Sequence, residues 1–159
     1  MTDSTTALCQ QLAERLRERR WRLVTAESCT GGGIASACTD LAGSSDWFEC
    51  GFVTYSNDAK IRDLAVPATI ISEHGAVSEA TVRAMVRGAA RYGDIAVSVS
   101  GIAGPGGAVP GKPVGTVWFA CGTTDDQIAV LCHFSGDREA VRRQAVNRAL
   151  TLLNDYLDK

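Results

Sequence analysis

The chain has 159 residues, enough for one domain with a real core, since domains of this length bury roughly 70% of their unfolded surface. Hydrophobic residues make up 45% and charged residues 21%, and sixteen basic against eighteen acidic side chains leave a formal charge of −2. That balance gives no nucleic-acid or membrane-surface footprint. The Met1–Gln10 start is polar, and no stretch approaches the roughly 18 apolar residues of a membrane span, so a cytoplasmic protein without a membrane partner is expected.

Leu8, Leu12 and Leu16 recur every four residues and predict an amphipathic helix over about 4–20, with Arg15, Arg17, Arg19 and Arg20 on its solvated side. Trp21 to Ala26 reads as a strand that runs into Ser28-Cys29-Thr30-Gly31-Gly32-Gly33 and a small-residue helix over about 32–42. Gly43 to Asp46 is a turn, Trp47 to Tyr55 a strand, and Asn57 to Leu64 a short helix carrying Lys60. Pro67 and Gly75 punctuate a loop, after which Ser78 caps a helix over 79–92. Ile95–Ser100, Val114–Cys121 and Ile128–Phe134 are strand-like. Asp137 caps a last helix over about 138–157, whose buried stripe is Val141, Ala145, Ala149, Leu152 and Tyr156. The last two strands are too close for an intervening helix and must form a hairpin, so the expected fold is an α/β sandwich with a mixed sheet.

Six cysteines (Cys9, Cys29, Cys38, Cys50, Cys121 and Cys132) contain no C-x-x-C pair, and the two histidines, His74 and His133, are far apart. That pattern suits buried thiols better than a metal site or a disulfide frame, so neither a metal nor a cofactor is expected.

Three segments exceed what packing requires. Thr25-Ala26-Glu27-Ser28-Cys29-Thr30-Gly31-Gly32 ends a strand in hydroxyls and glycines before a helix, an arrangement that offers backbone N–H groups to an anion. It is equally the composition of a tight turn capped by Ser28 or Thr30. The stretch Ser100 to Gly115 holds six of sixteen glycines and three of four prolines, a composition that forms N–H nests or simply a structural loop. Within it Gly106 to Lys112 imitates a phosphate-binding loop, but Pro113 stands where a Ser or Thr would bind magnesium, and a strand follows. The third segment places Ser45 in a turn before a strand and Tyr55 and Lys60 across the strand-to-helix junction after it. A lysine whose pKa is lowered can take the proton of a serine, and a tyrosine can relay it or stabilise an oxyanion. Packing, turn formation and a solvated charge account for the same three residues.

These segments together resemble the C-terminal domain of the competence-damage-inducible protein A (CinA) family. The likeness continues through His74-Gly75-Ala76-Val77-Ser78, Ser100-Gly101-Ile102-Ala103-Gly104-Pro105, Lys112-Pro113-Val114-Gly115-Thr116-Val117 and Phe134-Ser135-Gly136-Asp137-Arg138 with Arg142. Ser100 stands where many relatives carry Thr. The resemblance implies metal-independent hydrolysis of the carboxamide of nicotinamide mononucleotide, releasing ammonia. It implies Ser45 as nucleophile with Tyr55 and Lys60 assisting, and Ser28, Thr30, Gly31, Gly32, Ser100, Gly101, Ala103, Gly104, Arg138 and Arg142 as substrate contacts. Ser28 lies in a family motif as well. Two rivals stand beside this expectation: a Glu27-Lys60-Cys29 amidase set, and a non-catalytic nucleotide-binding sensor module. The expected partner is a small nucleotide rather than nucleic acid, and the expected assembly is a homodimer or larger.

Overall fold

The computed structural model describes residues 3–159; Met1 and Thr2 lie outside the described residues. The chain runs α1 (Asp3–Arg19), β1 (Leu23–Glu27), α2 (Gly33–Thr39), β2 (Phe48–Val53), α3 (Asn57–Leu64), α4 (Ala68–His74), α5 (Glu79–Ala89), β3 (Ile95–Gly101), β4 (Thr116–Gly122), β5 (Gln127–His133) and α6 (Arg138–Leu157). Short 3₁₀ turns at Ser44–Asp46 and Ala90–Tyr92 precede β2 and β3.

The five strands form one sheet in the order β2-β1-β3-β4-β5. Strand β1 is parallel to both neighbours, whereas β3, β4 and β5 pair antiparallel, so the sheet is mixed and the expected hairpin is present. β1 is buried throughout and β3 almost so, as strands covered on both faces must be. On one face α1, α2 and α6 close over Leu12, Leu16, Ile34, Val97, Phe119 and Leu153. On the other, α3, α4 and α5 enclose Val24, Ala26, Leu64, Val82 and Met85. The result is a three-layer α/β/α sandwich.

Local signals explain most element ends. The Ser78 hydroxyl accepts from the Thr81 N–H and the Asp137 carboxylate from the Ala140 N–H, the reciprocal of backbone donors left over at a helix start. The whole stripe Val141, Ala145, Ala149, Leu152 and Tyr156 is buried. The stretch read as a loop between Pro67 and Gly75 is instead α4, with Pro67 at its N-cap and Gly75 at its C-cap. Pro before and Gly after a helix are terminators, and here they bound seven residues that turn.

Helix α5 approaches α3 closely at Gly88, where an added Cβ would lie 1.9 Å from the Leu64 carbonyl oxygen. All six cysteines are free thiols, with Cys50 and Cys132 half-buried and the rest buried. No described helix is long and apolar enough to cross a membrane.

Candidate active site

Connection from β1 to β2 passes through α2 on one face, and return from β2 to β3 passes through α3–α5, with α5 packed on the other. The order therefore reverses at β1 and β3, and a crevice opens outside their carboxyl ends, where open α/β sheets bind ligands. Three chain segments meet at this rim: residues 28–32 after β1, residues 54–60 after β2, and residues 102–105 after β3.

Lys60 lies in the first turn of α3, whose N-cap Ser56 accepts from the Ala59 N–H. Its side chain runs inward and is 1% exposed. The ammonium nitrogen sits 3.0 Å from Ser28 Oγ, 3.0 Å from the Thr54 carbonyl oxygen and 3.1 Å from that of Tyr55. No carboxylate forms an ion pair with it among the described residues. Burial without a counter-anion penalises the charged form, and the Lys60 pKa falls from 10.5 to about 8. Lys60 Nζ donates to Ser28 Oγ and to both carbonyls, while the Ser28 hydroxyl donates to the Tyr55 carbonyl at 3.3 Å; rotation of that hydroxyl toward the neutral amine would hand its proton to Lys60. Ser28 itself is anchored by its N–H to the Val99 carbonyl, 3.1 Å away in β3.

Glu27 ends β1 and is fully buried. Its carboxylate accepts from Thr30 Oγ1 at 2.5 Å, from the Ile34 N–H at 2.9 Å and from the Ala35 N–H at 3.0 Å. It thus caps α2 from the preceding strand and pins the 28–32 turn. The Ile34 and Ala35 N–H groups are therefore taken by Glu27, and those of Gly31 and Gly33 bond to the Ser28 and Thr30 carbonyls within the turn. Cys29 is buried beside it, and its thiol is pushed up to about 11, chiefly by burial.

The remaining expected residues sort by position. Arg142 donates to the Cys29 and Thr30 carbonyls at 3.1 and 3.3 Å, holding the turn from α6. Arg138, the first residue of α6, donates to the Gly104 carbonyl at 2.9 Å and to the Tyr55 hydroxyl at 3.2 Å. Ser100 and Ala103 are buried at the end of β3 and just beyond it. Gly101 packs on Val117, and Gly104 adopts φ 82°, a conformation suited to glycine.

Ser45 does not converge with Tyr55 and Lys60. It occupies the 3₁₀ turn that precedes β2, is exposed, and its carbonyl accepts from Arg22 just ahead of β1. Tyr55 and Lys60 follow β2, so the six-residue strand stands between them, roughly 17 Å at about 3.3 Å per residue. The serine beside Lys60 is Ser28. Sequence reading also missed the carbonyls of Thr54 and Tyr55, which no side-chain motif announces.

A serine hydroxyl facing a buried amine, at the rim of a parallel β-pair, has the geometry of the serine–lysine class of hydrolytic sites. The CinA C-terminal domain model matches residues 5–157, and the chain belongs to that family. It is 54% identical over 150 residues to nicotinamide-nucleotide amidohydrolase PncC of Pseudomonas putida, covering 93% of this chain and 94% of the relative. It is 53% identical over 162 residues to the protein of that name from Escherichia coli K12, covering 99% and 98%. The crystal structure of a competence-damaged protein (CinA) superfamily protein from Klebsiella pneumoniae superimposes with a TM-score of 0.93 at 42% identity, covering 97% and 98%.

Proposed function

We propose that the chain hydrolyses the carboxamide of nicotinamide mononucleotide to the carboxylate and ammonia, with Ser28 as nucleophile and Lys60 as its base. The observation that carries this reading is the 3.0 Å contact between Ser28 Oγ and the buried, uncompensated Lys60 amine. Neutral Lys60 takes the Ser28 proton as Oγ attacks the amide carbon. The resulting ammonium then protonates the departing amine, and an acyl-Ser28 ester remains. Water, deprotonated by the same lysine, attacks the ester and frees the nicotinate nucleotide.

The names of the two amidohydrolase relatives support the substrate. So do Arg138 and Arg142: both lie in the first turns of α6, where the helix dipole disfavours a cation, and neither has a carboxylate partner among the described residues. A 5′-phosphate at the mouth would relieve both. The Cys29 alternative is disfavoured by its raised pKa, since only the thiolate is an effective nucleophile. Glu27, its supposed partner, has its carboxylate committed to α2.

Ammonia release from nicotinamide mononucleotide by the purified chain tests the reading. Ser28→Ala and Lys60→Ala are each expected to lower kcat on the order of a thousandfold or more with the fold intact. Ser45→Ala is expected to stay within about twofold of wild type, as an exposed turn residue remote from the rim. Loss of turnover in Ser45→Ala with retention in Ser28→Ala would overturn the assignment. A folded protein that binds the nucleotide but releases no ammonia would favour the sensor reading.

A further inference from the structure

We propose that the ring of Tyr55 is the platform on which the cationic pyridinium ring of the substrate stacks, and that Arg138 tethers the tyrosine hydroxyl to hold the ring there. The inference rests on the reading of the substrate as a pyridinium carboxamide, and it assigns Tyr55 to ring recognition instead of proton transfer.

Three observations carry it. First, Tyr55 is anchored beside the reacting pair: its carbonyl accepts from both Lys60 Nζ at 3.1 Å and Ser28 Oγ at 3.3 Å. Second, its far end is fixed across the crevice. Tyr55 leaves the end of β2, while its hydroxyl meets Arg138, which also holds Gly104 beyond β3. Tyr55 and Arg138 together bridge the segments that follow β2 and β3, the two strands flanking β1, which Ser28 follows. Third, the ring is bare. It is 59% exposed, and it stacks on no aromatic ring or cation among the described residues, unlike Phe52 against Tyr92 or Arg91 against Tyr92.

An exposed aromatic held at both ends beside a nucleophile pays no ordering cost when a flat partner arrives. A carboxamide carbon brought to Ser28 Oγ carries its attached ring into the same space. The nicotinamide ring in the mononucleotide is a cation, and a cation over an aromatic face gains roughly two- to thirtyfold in affinity. Arg138 and Arg142 repel that cation, but the same molecule brings a phosphate of larger opposite charge. The tethered hydroxyl accepts from Arg138 and makes no hydrogen bond to Ser28 among the described residues, which leaves it poorly placed as a base for Ser28.

Steady-state kinetics on the full chain with nicotinamide mononucleotide test this, using Tyr55→Phe, Tyr55→Leu and the uncharged 1,4-dihydro nucleotide as a competing probe. Tyr55→Phe keeps the face and loses the tether; a two- to fivefold rise in KM is expected. Tyr55→Leu is expected to raise KM about ten- to thirtyfold with kcat within about threefold, while inhibition by the dihydro probe weakens less than threefold. Equal thermal midpoints for both variants exclude a folding defect at this exposed position. Tyr55→Phe falling as far as Tyr55→Leu in kcat would show that the hydroxyl does chemistry and would overturn the proposal. So would Tyr55→Leu kinetics equal to wild type, or an equal loss for the charged substrate and the neutral probe. A wild-type chain that releases no ammonia would instead remove the substrate reading beneath it.

Discussion

The dependence of the reaction on pH follows from the cage around Lys60. In the proposed mechanism only the neutral amine accepts the Ser28 proton, and burial without a counter-anion lowers its pKa to about 8. Activity must therefore rise with pH: about one tenth of the lysine is neutral at pH 7, half near pH 8 and about nine tenths at pH 9. The expected gain in kcat/KM from pH 7 to the plateau above pH 9 is about tenfold, with one proton lost. Substrate ionisation does not confuse the range, because a phosphate monoester titrates near pH 6. An ammonia-release assay at constant ionic strength between pH 6.8 and 9.8 reads the curve directly, and the thermal midpoint at each pH confirms that the chain stays folded. In Lys60→Arg the cation cannot deprotonate in this range, so activity should be lost at every pH. A profile that is flat from pH 7 to 9, or that falls, would refute the role of Lys60 as base. So would a Lys60→Arg variant retaining the wild-type profile.

Other expectations concern the supports of the site. Glu27→Gln replaces a carboxylate oxygen that accepts from an α2 N–H by an amide nitrogen that cannot, and it should lower stability by about 1–3 kcal/mol in denaturant unfolding. An unchanged midpoint would mean that α2 does not depend on this cap. Gly88→Ala drives a methyl group into the Leu64 carbonyl, where α5 meets α3. A loss of about 1–3 kcal/mol is expected. Because α3 carries Lys60, kcat should fall as well, and a variant with normal stability and turnover would show that the contact is slack. Arg142→Gln frees the carbonyls of Cys29 and Thr30 and should raise KM for the phosphorylated substrate more than tenfold. Equal effects on the mononucleotide and its unphosphorylated riboside would assign Arg142 to the turn alone.

Much of this architecture is written in short-range signals. Ser78 and Asp137 announce their helices because a hydroxyl or carboxylate there meets a backbone donor three residues on, a contact decided within one turn. The hairpin of β4 and β5 is legible because four residues cannot make a crossover. Helix α4 was hidden because Pro67 and Gly75 punctuate loops and helix ends alike, and only packing of Ile70 and Ile71 against the α5 core decides between them. Glu27 shows the same limit at the site itself. Its role depends on Ile34 and Ala35 turning back to meet it, and that return exists only once β1 and α2 are packed.

The separation of Ser45 from Lys60 has a different cause, and one that lies in the topology. Ser45 lies 15 positions before Lys60 and Ser28 lies 32 positions before it, so proximity along the chain favours Ser45. A strand reverses that preference. Residues before and after one strand are delivered to opposite rims of the sheet, however few they are. Residues that follow two neighbouring parallel strands are delivered to the same rim, however far apart they are in sequence. Ser28 follows β1, Lys60 follows β2, and these strands pair in parallel from Leu23 to Glu27. Two parallel neighbours thus deliver Ser28 and Lys60 to one rim and bring Ser28 Oγ within 3.0 Å of the buried amine, the contact on which the proposed base role rests.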